Sequence, residues 1–579
     1  MDKKTLPLVI LLVVIIIFYY PILQFLGIIE EGQPEQPTTQ EAPQTSETIA
    51  RDTGGEIRQF DPSEPDWGQQ QVDTLGLTPG RGARDTIQRS ADTIVVETAK
   101  FKVKLSSRGA GPVSIILKEF TLRNGTPIQM MPDANEATPE ASFAGGTFST
   151  NELFFECNRR AGSYNVTSSP QTFEYTYTAS NGGRIVRRLT FFPEEYHFDL
   201  VLTVEDPAAM GLERRYHLVW GTPLGITEPN ADMDYDEMKA VAMLGDSRES
   251  LDDFDDGRLN QSLTGYTRWA GVRQKYFAAV MIPRSRPADG VMAQGLKEKI
   301  PWEDGTVEAR QIIVGMEMPF ASVDAVQDSF SVFVGPLDYD LMDSYEVKLE
   351  DMLDIGTMPV IGWLIKPFAL GIIWLMPRLY DFVPNYGLVI ILFALIIKII
   401  TLPLSMKSFK SMQAMRDLQP KIEEMRKRYK KDPQKLNAET MKLYKSSGVN
   451  PMSGCLPILP QMPLFVALFS VFRSTILLRD APFFWFINDL SRGASGLTDP
   501  YILLVVLMVA MQFVSQSLTM PSTGQNKMMM YLMPLVFGFI FYRFPAGLVL
   551  YWTCFSVFSL LDWVLFKRDK NKNPQVKTA

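Results

Sequence analysis

An apolar run from Tyr386 to Leu404, YGLVIILFALIIKIITLPL, is broken by a single cation, Lys398. About 20 apolar residues, rising ~1.5 Å each, cross the ~30 Å hydrocarbon core of a bilayer. A charge in such a segment costs at least ~2.5 kcal/mol, so an ionisable residue there marks a functional site unless it escapes to an interface. Lys398 stands six residues before Leu404, about 9 Å along the axis. Snorkelling of its stem is therefore the competing explanation.

The average composition conceals two regimes. The 579 residues are 46% hydrophobic with formal net charge -8. Residues 30–355 nevertheless read as a soluble acidic protein, and 383–566 as a membrane protein. Three cysteines, Cys157, Cys455 and Cys554, offer neither a disulfide framework nor a CxxC pair. The two histidines, His197 and His217, fall on strand-like segments, where packing explains them better than a metal or a catalytic triad.

Lys3 and Lys4 precede Leu6–Ile29, which is too long and bulky for a cleaved signal peptide, so residues 1–29 read as a signal anchor. Residues 30–90, rich in Glu, Gln, Pro, Thr and Ser, cannot bury enough apolar surface to order themselves and read as a disordered linker. From 91 to 340 the signal is β. Phe101, Val103 and Leu105 alternate with lysines, and Phe173, Tyr175 and Tyr177 lead into an Asn181-Gly182-Gly183 turn. The period of two resumes at Tyr196, Phe198, Leu200, Leu202 and Val204. An all-β sandwich follows, with the acidic Asp232–Asp256 region as a long surface loop.

Residues 341–382 read as a short closing helix and an interfacial helix, with Trp363 and Trp374 at the membrane surface. If 358–376 spanned the bilayer, the basic loop that follows 383–404 would land outside. That loop, 405–449, carries twelve basic residues against five acids and is cytoplasmic by the positive-inside rule. Its apolar period, through Met412, Met415 and Tyr429, makes a helical hairpin, with Arg416, Arg426, Lys427 and Arg428 beside a methionine-rich docking stripe. Spans are expected at 455–475, 500–519, 528–543 and 547–566, with an aromatic outer loop at 476–499 and a basic inner tail at 567–579. The chain is thus expected to be a polytopic α-helical membrane protein with six transmembrane helices, both termini inside and the β domain outside. Two features exceed a passive anchor: the 528–543 span is short enough to thin the bilayer, and polar groups recur in several spans. Asp562, at similar depth on the last span, is a candidate ion-pair partner for Lys398.

The order of segments and three motifs resemble the YidC/Oxa/Alb membrane protein insertases in their Gram-negative form. The motifs are the cation in Tyr386–Leu404 followed by the hairpin with Leu418-Gln419-Pro420-Lys421; Asn450-Pro451 with Cys455-Leu456-Pro457 and Pro460-Gln461-Met462-Pro463; and Phe544–Trp552, FPAGLVLYW. The resemblance covers nearly the whole chain. It implies a five-helix core around a hydrophilic groove, open to cytoplasm and lipid, in a bacterial inner membrane. Carried over by motif, the groove residues are Lys398, Gln461, Gln512 and Trp552. The groove cation is usually arginine in that family, and a lysine keeps the charge without the bidentate fork. The resemblance implies nascent membrane proteins as clients, with the ribosome, a targeting receptor and the Sec translocon as further partners. It implies no cofactor, no enzymatic reaction and no sequence-specific nucleic acid. Water is expected to reach the Lys398 ammonium from the inner side. Two other classes compete: an ion- or proton-coupled transporter using Lys398 and Asp562, and an envelope enzyme using His197 and His217.

Overall fold

The computed structural model describes residues 91–572 apart from 144–147, 213–214, 229–230, 303–304, 321–324, 356–360, 431, 451–457, 497 and 520–523. The expected signal anchor, the linker, residues 573–579 of the tail and Cys455-Leu456-Pro457 lie outside the described residues.

Alternation along the sequence becomes alternation of burial. Strand Phe101–Ser106 buries Phe101, Val103 and Leu105 and exposes Lys102. Strand Gln171–Thr178 buries Phe173, Tyr175 and Tyr177, then pairs antiparallel with Arg184–Phe191 across the Asn181–Gly183 turn. Gly182 takes φ +92° there, a backbone region that costs glycine nothing. In the core Phe191 stacks on Phe198 of the neighbouring strand, and Phe173 and, from the other sheet, Phe101 meet it edge-on. A five-stranded sheet and a fourteen-stranded sheet result. Near the middle of the larger one, Phe277–Pro283 lies beside Ala325–Pro336 and is buried almost throughout. Its unbroken apolar reading, FAAVMIP, is what a strand covered on both faces requires.

The expected loop at Asp232–Asp256 is instead ordered. It holds helix α1 (Ala231–Glu237) and strands Lys239–Leu244 and Ser247–Leu251. Two causes override its acidity. Met238 is buried just ahead of the strand, and Ala240, Val241, Ala242 and Met243 are buried within it. Asp234 turns inward, and its carboxylate accepts from the backbone N–H groups of Thr227 (2.6 Å) and Glu228 (2.9 Å).

Helix α2 (Tyr339–Asp343), capped by Asp338, closes the β domain. His197 binds Tyr345 just beyond it through Nδ1 at 2.9 Å, which is a packing role. His217 sits on another strand opposite Glu317, so the two histidines form no common site. Helix α3 (Gly362–Phe382) buries Ile365, Ala369, Ile372 and Met376 on one face and exposes Trp363, Trp374 and Phe382. Helix α4 (Tyr386–Asp417) starts at Asn385, whose side chain accepts from the Leu388 N–H at 3.1 Å. It runs through position 405 without a break, so the first arm of the basic hairpin continues the apolar helix. Pro403 is tolerated inside it, and the break comes at Leu418, ahead of Gln419-Pro420. The hairpin continues as α5 (Gln419–Arg428) and α6 (Pro433–Ser446), the latter capped by Asp432. Four helices follow: α7 (Ile458–Ser474), α8 (Ile502–Thr519), α9 (Gly524–Phe541) and α10 (Ala546–Lys572). The last packs on α4 and α8, while α7 packs chiefly on α3. Among the described residues, two segments are long and apolar enough to cross a membrane, α4 and Ala546–Val564, with shorter apolar helices at Ile502–Leu518 and Leu532–Phe541.

Candidate functional site

The helical part exposes many apolar side chains and buries several polar ones within a mostly apolar interior. Ile399 and Ile400 on α4, Val506 on α8, Leu535 and Phe539 on α9, and Leu561 and Val564 on α10 are exposed. Lys398, Ser405 and Ser408 on α4, Gln512 on α8, and Thr553, Ser556 and Asp562 on α10 are buried. Such an apolar exterior suits hydrocarbon, which leaves polar groups no place but the interior.

Lys398 is 5% exposed. Its ammonium donates to the Ser559 hydroxyl at 2.9 Å and lies 2.9 Å from Asp562 Oδ2. The two charges form a buried ion pair. Phe555 closes the remaining side, its ring centroid 4.7 Å from Nζ. Phe555, Ser559 and Asp562 sit at i, i+4 and i+7, one face of α10, and together make a cradle for an ammonium. The expected wetted cation is therefore closed off here, because α10 supplies a counter-ion, a hydroxyl and a ring. The F-x3-S-x2-D spacing was a readable signal for Phe555 and Ser559.

The other expected groove residues lie elsewhere in the bundle. Gln512 is buried with Oε1 unpartnered. Trp552 packs among Phe465 of α7 (5.3 Å between centroids), Phe537 (5.9 Å) and Phe541 (5.6 Å) of α9. Gln461 is half-buried in the first turn of α7. Among the described residues, no hydrogen bond or ring contact joins these three to Lys398. Several hydroxyls of α10 are spent internally: Thr553 donates to the Val549 carbonyl (2.7 Å) and Ser556 to that of Trp552 (2.9 Å).

On the hairpin, Arg426, Lys427 and Arg428 are exposed at the C-terminal end of α5, where cations suit the helix dipole. Met412, Met415, Arg416 and Tyr429 are half-buried. At the opposite end of the bundle, ion pairs that sequence reasoning missed tie the helices to the β domain. These are Arg473–Glu237 (2.5 Å), Arg479–Glu228 (2.7 Å) and Arg123–Asp489 (3.1 Å). No local pattern announces partners so far apart in the chain.

Residues 93–370 match the family model described as the YidC periplasmic domain, and residues 378–573 that of the 60Kd inner membrane protein. The membrane protein insertase YidC of Chlorobium luteolum is 36% identical over 488 residues, 80% of this chain and 81% of that one. The chain belongs to the YidC family. A second member, from Chlorobaculum parvum, is 33% identical over 533 residues, covering 86% and 88% of the two chains. A solved YidC insertase with its first transmembrane domain resolved matches over 82% of this chain and 92% of its own at 21% identity, with TM-score 0.35. The β-rich part is thus the periplasmic domain of a YidC-family inner-membrane insertase, and α4 and α7–α10 belong to its helical region.

Proposed function

We propose that this insertase receives a nascent hydrophobic segment in a hydrophilic groove open to cytoplasm and lipid, moves its short polar tail across, and releases the helix sideways into the bilayer. The observation that carries this reading is the set of polar side chains buried on α4, α8 and α10, the Lys398–Asp562 pair among them. A polar tail entering there exchanges water for fixed polar groups rather than for hydrocarbon. A tail rich in carboxylates gains from the ammonium. The client helix then leaves by the seam of aromatic rings between α7, α9 and α10. Client side chains replace Phe465, Phe541 and Trp552 contacts at little cost, and burial in lipid drives the departure.

In this reading six helices span with both termini inside. The hairpin bearing Met412, Met415, Arg416, Arg426, Lys427, Arg428 and Tyr429 meets the ribosome, a targeting receptor or clients, and the Sec translocon is a further partner. The transporter alternative has the Lys398–Asp562 pair in its favour, but the named relatives are insertases. The test is site-specific photocrosslinking during synthesis of a single-span client. Probes at Gln461 and Trp552 are expected to trap the client, and one at lipid-facing Ile400 to trap far less. Equal yields from all three would overturn the groove.

A further inference from the structure

We infer that Asp562 is a specificity-determining residue, which competes with a client's own carboxylates for Lys398. The inference rests on the reading of Lys398 as the group that meets the client tail. The cradle on α10 is complete without any client. Ser559 donates its own proton to the Phe555 carbonyl at 2.8 Å, so its lone pair is left to accept from the ammonium at 2.9 Å. Asp562 supplies the charge at 2.9 Å and the Phe555 ring lies 4.7 Å from Nζ. Lys398 and Asp562 are both more than nine-tenths buried, at 5% and 8% exposure. An arriving carboxylate must therefore displace one that is tethered to the neighbouring helix, an internal ligand at high effective concentration.

The form of the pair allows that displacement. Asp562 Oδ2 has no partner but the ammonium among the described residues, so a rotation of Asp562 gives up that one contact alone. A neutral tail meets a compensated pair and has no such competitor. The resting site thus favours acidic tails less than a bare cation would, and Asp562 sets by how much. A carboxylate is a positive requirement only once Asp562 has moved.

The experiment uses the full chain in proteoliposomes and two single-span clients, one with aspartates in its N-tail and one with matched asparagines. The readout is the ratio of acidic-tail to neutral-tail insertion, which a merely structural loss would leave unchanged because it lowers both. Three proteins are compared: the unaltered chain, Asp562→Asn, and Lys398→Gln/Asp562→Asn. The ratio is expected to rise about fivefold or more in Asp562→Asn, the lower range of coupling between sites, and to fall back in the double variant. Asp562→Glu, which retains the carboxylate, is expected to keep the unaltered ratio. Should the amide not be tolerated, Asp562→Ser carries the same expectation as Asp562→Asn. An unchanged ratio in Asp562→Asn, with a lower one in the double variant, would overturn the competition and leave the role of Lys398 standing. Equal ratios in all three would remove both.

Discussion

Arg479 and Glu228, 251 residues apart in sequence, form a 2.7 Å ion pair that fastens the loop after α7 to the periplasmic domain. Their side chains are only 5% and 7% exposed. The guanidinium also donates to the carbonyls of Thr121 (3.0 Å) and Thr227 (3.1 Å). Arg473, in the last turn of α7, reaches Glu237 on the same domain. The end of α7 nearest the periplasmic domain is therefore held by two ion pairs.

The first prediction concerns pH. Burial pushes the Glu228 carboxyl up to about 7, against the pull of Arg479 and Lys275, with Asp234 adding repulsion. A carboxyl raised on folding binds its proton more tightly in the folded state. Its contribution to stability is full below about 4.5 and is lost as pH rises through about 7. The loss approaches about 3 kcal/mol over that window. Glu228→Gln keeps the size and removes the titration. The thermal midpoint of the unaltered protein, relative to Glu228→Gln, is expected to fall from pH 5 to pH 8. A flat difference would show that Glu228 is ionised throughout.

Arg479 itself gives a second prediction. Arg479→Ala strands a buried acid, and losing one partner of such a pair costs about 3–5 kcal/mol. Arg479→Lys keeps the charge but cannot serve Glu228 and two carbonyls with one fork, so its loss should be intermediate. Hydrogen exchange at 121–125 and 226–228, together with thermal unfolding, checks both. Unchanged exchange in Arg479→Ala would mean that the loop does not dock in solution.

What could be read from the sequence follows the distance over which each cause acts. Strand alternation at Phe101–Leu105 and Tyr196–Val204 and the Asn181-Gly182-Gly183 turn are local, and the residues show them directly. Asp234 misled because an acidic residue in an acidic stretch reads as solvated, whereas here it caps the turn at Thr227 and Glu228 from within. Lys398 and Asp562 are brought together, and their pairing was legible because a charge in an apolar helix needs a partner and few exist. The ring cluster on Trp552 was not legible, since it joins three helices whose mutual rotation no single period encodes. Nor were the ion pairs of Arg473 and Arg479 with the β domain.

Gly493 carries a third prediction. Residues 490–494 pair with the link between α9 and α10, through Ala494 N–H to the Tyr542 carbonyl (2.9 Å) and Ala546 N–H to that of Arg492 (2.7 Å). A Cβ at Gly493 would stand 2.3 Å from the Arg543 carbonyl oxygen, which is backbone and cannot rotate away. Gly493→Ala is expected to cost about 1–3 kcal/mol or more as overpacking and to lower the yield of folded protein. Gly496→Ala, which meets nothing within 4 Å, is the control and should be silent in thermal unfolding.

Stability of the buried pair is a fourth prediction, separate from client choice. Lys398→Ala leaves Asp562 uncompensated and should cost about 3–5 kcal/mol. Lys398→Ala/Asp562→Ala removes both charges and should recover part of that loss. The coupling from the double-mutant cycle, measured by unfolding in detergent, is expected at about 1–3 kcal/mol. Additive losses would mean that the contact contributes nothing beyond two separate side chains.

The aromatic seam gives the fifth. Helix α7 meets α9 through Phe465 and Phe541, whose rings lie 5.8 Å apart, and both rings touch Trp552. If clients leave through this seam, the rings must part during each insertion. Phe465→Cys/Phe541→Cys, made with Cys157, Cys455 and Cys554 replaced by serine, allows α7 and α9 to be joined by oxidation or a short thiol crosslinker. The oxidised protein is expected to bind clients but to lose most insertion into lipid, and a reductant should restore it. Each single-cysteine variant, oxidised in parallel, should insert normally. Full insertion by the joined protein would place the exit elsewhere, because a fixed α7–α9 seam leaves no room for a departing helix of about 10 Å diameter.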